Sequence, residues 1–195
     1  MSNSPFPNLT IHTFVLPDLI LIEPKIFSDE RGFFLETWNQ AKYKEIGIPS
    51  DFVQDNMSYS KKEVLRGLHF QFPNPQGKLL QVMQGEIQDI AVDIRKDSPT
   101  FGKWESVILS AENKKQLYIP EGFAHGFLVL SESALVSYKC TEFYYPENEK
   151  TILWNDSQIN IKWEALEQKI ISDKDQKGLR LEQILDEALP AYVRG

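Results

Sequence analysis

Between residues 78 and 140 the chain is cut into short apolar stretches at a nearly regular interval, and this rhythm restricts the fold more than any other feature. Residues 78–84 lead to a turn at Gly85-Glu86. Beyond it Ile90, Val92 and Ile94 alternate with Ala91 and Asp93, the period of two that places successive side chains on opposite faces of a strand. Residues 104–109, 115–119, 126–130 and 134–140 continue the series, with turns at Asp97-Ser98-Pro99, Glu112-Asn113 and Pro120-Glu121-Gly122. Strands this short, joined by turns and not by long helices, predict an all-β sandwich or barrel and speak against a parallel α/β sheet.

The flanks carry weaker signals. Residues 11–26 alternate imperfectly and read as one or two edge strands, and residues 32–38 and 52–59 read as further strands. Residues 39–46 read as a short helix closed by Gly47 and Pro49. After Pro146 the pattern fades, with a short terminal helix expected over 181–189. The 195 residues fit one domain, with a core over about 11–180 and a C-terminal tail over 181–195. Aromatic residues at 12% favour strands over a helical bundle.

A net charge of −7 argues against a general nucleic-acid binder, yet leaves room for a local Arg/Lys cluster holding a phosphorylated small molecule. A single cysteine, Cys140, allows no intrachain disulfide and no cysteine metal site. Residues 1–10 lack the basic and apolar regions of a signal peptide, and no apolar run approaches a membrane span, so a soluble cytoplasmic protein is expected.

Three histidines limit the candidates for proton-transfer chemistry. His69 lies in Leu65-Arg66-Gly67-Leu68-His69-Phe70-Gln71, with a basic residue before it and Lys78 after it. A neutral imidazole among cations can take a proton from carbon and stabilise the resulting oxyanion; a core histidine would look the same locally. On a regular strand Arg66 and His69 face opposite ways, so both reach one cavity only if the strand starts or bulges near Gly67. Lys78 is either an exposed strand end or a cation beside an oxyanion. His125, between Ala124 and Gly126, suits substrate hydrogen bonding or metal ligation. No His-x-His exists and His12 lies in an expected edge strand, which disfavours a metal. Tyr138 shares a strand face with Ala134, Val136 and Cys140, as a packed core tyrosine or a proton donor into a cavity would. Asp173 and Asp175 read locally as turn or helix-cap residues, and Arg31 as a surface partner of Asp29 or Glu30.

Taken together, these segments closely resemble the dTDP-4-dehydrorhamnose 3,5-epimerases, from about residue 22 to 179. The matching stretches include Arg31-Gly32-Phe33-Phe34-Leu35-Glu36, Gln54-Asp55-Asn56-Met57-Ser58, Leu65 to Gln71, Gly77-Lys78-Leu79, Ser98-Pro99-Thr100-Phe101-Gly102, Gly122-Phe123-Ala124-His125-Gly126-Phe127, Tyr138-Lys139-Cys140-Thr141 and Ser172-Asp173-Lys174-Asp175. The resemblance implies a mainly β, cupin-like jelly-roll barrel, a homodimer, and no metal or organic cofactor. It implies that His69 is the base, oriented by Asp175, that Lys78 lies near the substrate C4 oxygen, and that Tyr138 is the acid on the opposite ring face. Arg66 matches a residue contacting the nucleotide diphosphate, where Arg31 would join it. Arg31, Glu36, Gln54, Asn56, His125 and Tyr144 match substrate-site positions. Met57 departs from the histidine many relatives carry there.

The implied activity is cofactor-independent inversion of C3 and C5 of dTDP-4-dehydro-6-deoxy-D-glucose, giving dTDP-4-dehydro-L-rhamnose on the way to dTDP-L-rhamnose. Alternatives are an epimerase inverting only C3 or C5, a non-catalytic cupin that binds a sugar nucleotide, and a metal-dependent cupin oxygenase.

Overall fold

A computed structural model describes residues 6–49, 51–165 and 167–192. Residues 1–5 and 193–195, parts of the segments read above as a leaderless start and a tail, lie outside the described residues. The strands are β1 (Leu9–Thr13), β2 (Ile20–Pro24), β3 (Phe27–Asp29), β4 (Gly32–Phe34), β5 (Gln54–Lys61), β6 (Val64–Gln71), β7 (Lys78–Gln84), β8 (Glu86–Asp93), β9 (Trp104–Ser110), β10 (Gln116–Ile119), β11 (Phe123–Val129), β12 (Ser133–Cys140), β13 (Glu149–Thr151) and β14 (Ile170–Ile171). The helices are α1 (Gln40–Glu45) and α2 (Asp173–Gln176).

Two antiparallel sheets face each other in a cupin-like jelly roll. The first has the order β1-β2-β10-β7-β12-β5 and the second β13-β6-β11-β8-β9; β14 adds to β6 in parallel, and β3 and β4 form a separate hairpin. Inward residues of both sheets, among them Leu80, Val82, Ala134 and Val136 from the first and Ile87, Ala91, Phe127 and Val129 from the second, form the central core. The alternation in β8 explains the second core cluster. Ile90, Val92 and Ile94 point to the outer face, where Ile152, Ile159, Leu181, Ile184 and Leu189 cover them. On the outer face of the first sheet, Tyr43 of α1 and Ile48 pack over Ile20, Ile22, Leu79 and Tyr118.

The series expected over 78–140 is present, and the helix over 39–46 is α1, capped where Asn39 accepts from the Lys42 N–H. Four expectations need correction. β2 is no edge strand, because β10 pairs along its other side. The strand expected over 32–38 stops at Phe34, since the following segment straps across the first sheet, with the Thr37 carbonyl accepting from Tyr43 and Gln116. The strand expected over 52–59 runs two residues later. The terminal helix over 181–189 is two short 3-10 turns, Leu181–Gln183 and Asp186–Ala188. Leu181 and Leu189 are both buried while Leu185 is exposed, which suits a chain lying along a sheet and not a helix stripe. A buried carboxylate fixes its start, Asp156 Oδ2 accepting from the Leu181 N–H at 2.7 Å.

Among the described residues no helix is long and apolar enough to cross a membrane.

Candidate active site

One end of the barrel is closed by aliphatic side chains. The other opens into a cavity of about 320 Å³ whose wall is polar. Inward positions of β5 supply Gln54 and Asn56, β6 supplies His69 and Gln71, β7 supplies Lys78, and β12 supplies Tyr138; Tyr144 and Glu149 close the rim. The two-residue period explains why neighbours in sequence diverge. Asn56 lines the cavity while Met57, next to it, is 66% exposed on the opposite face of the edge strand. Met57 thus faces away from the cavity of its own chain.

The pairing of β6 with β11 departs from regular register. His125 lies opposite His69 and Phe127 opposite Arg66, so two residues of β6, Gly67 and Leu68, face the single Gly126. This is the bulge that the Arg66–His69 spacing required, and it puts Arg66 and His69 on the same face of β6. Gly67 has φ +118°, and a Cβ there would meet Gly126 Cα at 2.5 Å and the His125 carbonyl at 2.7 Å. Both the left-handed backbone and the close approach demand glycine.

His69 and Asp175 meet across 106 residues of sequence, with His69 Nε2 2.6 Å from Asp175 Oδ1. An N–H at Nε2 donating to the carboxylate leaves a lone pair on Nδ1. The local sequence misplaces Asp175: Ser172 is the cap of α2, accepting from the Asp175 N–H at 3.1 Å, and Asp175 sits in the first turn. Pairing of Ile170 and Ile171 with Val64 and Leu65 brings that turn against β6, and the Gly67 N–H donates to Asp175 Oδ2 at 3.2 Å. Burial pushes the Asp175 carboxyl up, but the His69 contact, the Gly67 N–H and nearby Lys174 outweigh it and hold the group below the usual aspartate range. The carboxylate is thus an ionised, fixed acceptor.

Lys78 and Tyr138 face this pair from the first sheet. Burial pulls the Lys78 ammonium down from its ordinary value, and the carboxylates of Glu149 and Asp89 oppose that pull. Burial pushes the Tyr138 phenol up, with Cys140 adding to it and Arg66 opposing, so the group keeps its proton at neutral pH. At the rim Glu149 accepts from the Tyr144 hydroxyl at 2.6 Å and pairs with Lys174 at 2.6 Å. The Glu149 bond pushes Tyr144 up to about 12. Gln54 Oε1 accepts from the Tyr144 N–H and Gln54 Nε2 donates to Asn56, which ties the rim to β5.

The remaining sequence candidates stand apart from the cavity wall. Arg66 donates to Ser60 Oγ at 2.9 Å and to the Tyr59 carbonyl. His125 turns to Asp89, with Nε2 2.8 Å from Oδ2, rather than toward a set of metal ligands. Among the described residues no group of three or more His, Cys, Asp or Glu side chains is arranged to hold a metal ion. Arg31 is exposed at the β3–β4 turn and pairs with Asp29, one of the two partners foreseen, while Glu36 pairs with Lys42. Neither lines the cavity. Sequence reading missed Gln71, Gln76 and Glu149 on the wall, and Asp89, the buried partner of His125. Only the inward parity of Gln71 and Asp89 within their strands pointed to them; Gln76 and Glu149 lie in segments without periodicity.

A larger hollow of about 670 Å³ lies beside the rim, lined by Leu179, Ile184, Leu185 and Lys177. It shares Glu149 with the cavity but none of the His69, Lys78 and Tyr138 set.

Comparison with known proteins places these residues in context. A family model described as dTDP-4-dehydrorhamnose 3,5-epimerase matches residues 13–183. The chain is 56% identical over 172 residues to the dTDP-4-dehydrorhamnose 3,5-epimerase of Salmonella typhimurium, covering 87% of this chain and 94% of that one. It is 54% identical over 162 residues to the enzyme of the same name from Methanothermobacter thermautotrophicus, covering 82% and 88%. The fold is similar, at a TM-score of 0.93 and 51% identity, to the crystal structure of dTDP-6-deoxy-D-glucose-3,5-epimerase from Legionella pneumophila Philadelphia 1 in complex with dTDP-4-keto-L-rhamnose, covering 95% of this chain and 100% of that one.

Proposed function

This chain belongs to the dTDP-4-dehydrorhamnose 3,5-epimerase family, and from that premise we propose how its cavity carries out the reaction. The enzyme is an isomerase that inverts C3 and C5 of dTDP-4-dehydro-6-deoxy-D-glucose to give dTDP-4-dehydro-L-rhamnose, a step of dTDP-rhamnose biosynthesis. The observation that carries the assignment of roles is that His69 and Tyr138 reach one cavity from opposed sheets. A sugar ring lying between them presents one face to each.

The C4 ketone acidifies the protons on C3 and C5. His69 takes one of them, and Asp175 stabilises the imidazolium that forms. The electron pair of the broken C–H bond moves into an enolate whose charge rests on the C4 oxygen, beside the Lys78 ammonium. Tyr138 then gives its proton to the same carbon from the other face, which inverts the centre. Proton exchange with solvent resets the imidazolium and the phenolate before the second carbon reacts. Gln54, Asn56 and Tyr144 hold the substrate at the mouth, Arg66 and His125 act from positions beside it, and no metal or organic cofactor takes part.

Tyr138→Phe deletes one hydroxyl and keeps the ring, so the fold should be unaffected. Turnover is expected to fall about a hundredfold, the usual effect of losing one general acid. Deuterium from D2O, followed by NMR at C3 and C5 separately, should enter the substrate faster than inverted product forms. Doubly inverted product at the wild-type rate would return Tyr138 to a packing role.

We also assign the chain to one domain in a cytoplasmic homodimer. Support for the dimer comes from the outer face of the first sheet. Phe33 and Met83 line a shallow apolar hollow there, and Met57 and Tyr59 continue it on the edge strand, all more than half exposed. A second copy covering this face would also approach Arg31 and Glu36, which lie outside the cavity of their own chain. Sedimentation at the 22.5 kDa of a single chain would remove the dimer.

A further inference from the structure

On the inward face of β8, between Ile87 and Ala91 of the central core, Asp89 is fully buried. Its Oδ2 is held by His125, but its Oδ1, equally buried, has no hydrogen-bond partner among the described residues. An unpaired carboxylate oxygen in a barrel interior is strongly unfavourable unless positive charge lies close by. Two cations are candidates. The Arg66 guanidinium is engaged by Ser60 and Tyr59 on β5. Lys78, by contrast, donates no hydrogen bond to a described residue, and Asp89 is among the charges acting on it.

The other groups facing Lys78 are neutral or already paired. Cys140, directly opposite on β12, is pushed up by burial and stays a neutral thiol. Tyr138 on the same strand keeps its proton. Glu149 on β13 is already paired with Lys174 and bonded by Tyr144. On β6, His69 is taken up by Asp175, and on β11, His125 is taken up by Asp89 itself.

We propose that Asp89 is a positioning residue, the internal counter-charge that keeps the Lys78 ammonium protonated beneath the substrate, with His125 fixing the plane of its carboxylate. The inference rests on the assignment of Lys78 to the C4 oxygen. Attraction without a direct hydrogen bond suits that task, because it leaves the ammonium protons free for the enolate. Burial alone would favour the neutral amine, which cannot balance a developing negative charge.

Asp89→Asn keeps the shape and an acceptor for His125 while removing the charge. Turnover should fall at least tenfold with KM changed by less than about twofold, in line with loss of an interaction made in the transition state. The sign of the pH effect follows from the charge: an ammonium is present only below its pKa, so lowering that value moves the alkaline limb of kcat to lower pH. Asp89→Glu should recover part of the rate. A wild-type rate, or an equal loss at every pH with the limb in place, would overturn the proposal. The wild-type protein gives a reading independent of whether the variant folds. Its 15N-lysine NMR spectrum, with the Lys78 signal assigned by its absence in Lys78→Arg, should show a charged ammonium at neutral pH; a neutral amine overturns the pairing. Wild-type turnover by Lys78→Met would instead defeat the assignment of Lys78 in the reaction, and the NMR charge state would still decide the role of Asp89.

Discussion

His69→Asn is expected to lower epimerisation roughly 10³-fold, within the range lost when a general base is removed. Both carbons should be affected together, because the cavity holds one imidazole on its wall. Deuterium entry at C3 and C5 should fall in parallel with product formation, which separates this variant from Tyr138→Phe, where exchange outlives inversion. Binding should change little, since asparagine keeps a polar group of similar reach and the contacts of Gln54, Asn56 and Tyr144 remain. Measuring exchange in D2O and the affinity for dTDP side by side checks both halves of the expectation. Near-normal exchange at either carbon would show that another group takes that proton.

Gly67→Ala is expected to cost roughly 2–4 kcal/mol of stability, from left-handed strain on a non-glycine residue together with overpacking against fixed backbone. The added methyl has nowhere to go. Its closest neighbours are the Gly126 Cα at 2.5 Å and the His125 carbonyl at 2.7 Å, both backbone atoms of a central strand. Relief requires β6 to separate from β11, which displaces His69, Arg66 and the Gly67 N–H that holds Asp175. Denaturant unfolding should therefore show a lower midpoint, and the folded fraction should be slower in turnover than its population explains. An alanine variant with the wild-type midpoint would mean that the bulge is not held as described. Gly102→Ala is a useful control, because its φ of +73° carries similar backbone strain while the methyl would meet only the flexible Leu181 side chain, at 3.8 Å.

The unequal legibility of fold and site has a common cause. Strands from Lys78 to Cys140 could be read directly because alternation, turn residues and strand length are all local properties, and here they agree. Helix α1 was legible for the same reason, with Asn39 at one end and Gly47 at the other. The segment after Pro146 was not, since its apolar residues answer to the outer face of the second sheet and not to any period of their own. Leu181, Ile184 and Leu189 mimic a helix in sequence and lie flat in the structure because that is the shape of the surface they cover.

At the site the division is sharper. The chemical inventory is written in residue type and spacing: a scarce histidine near an arginine and a lysine, a tyrosine on a face of small residues, and glycine at the one position where Arg66 and His69 could be turned to the same side. A family resemblance was needed to single out Asp175, which locally reads as a turn residue. Which groups meet depends on strand pairing between distant segments. The fold brought Asp175 to His69 through the β14–β6 pairing, set Tyr138 and Lys78 on the wall opposite, buried Asp89 against His125, and left Arg31 and Glu36 outside. Residue type fixes what a side chain can do, while position relative to distant strands fixes what it does it to, and no local pattern encodes a contact made across 106 residues.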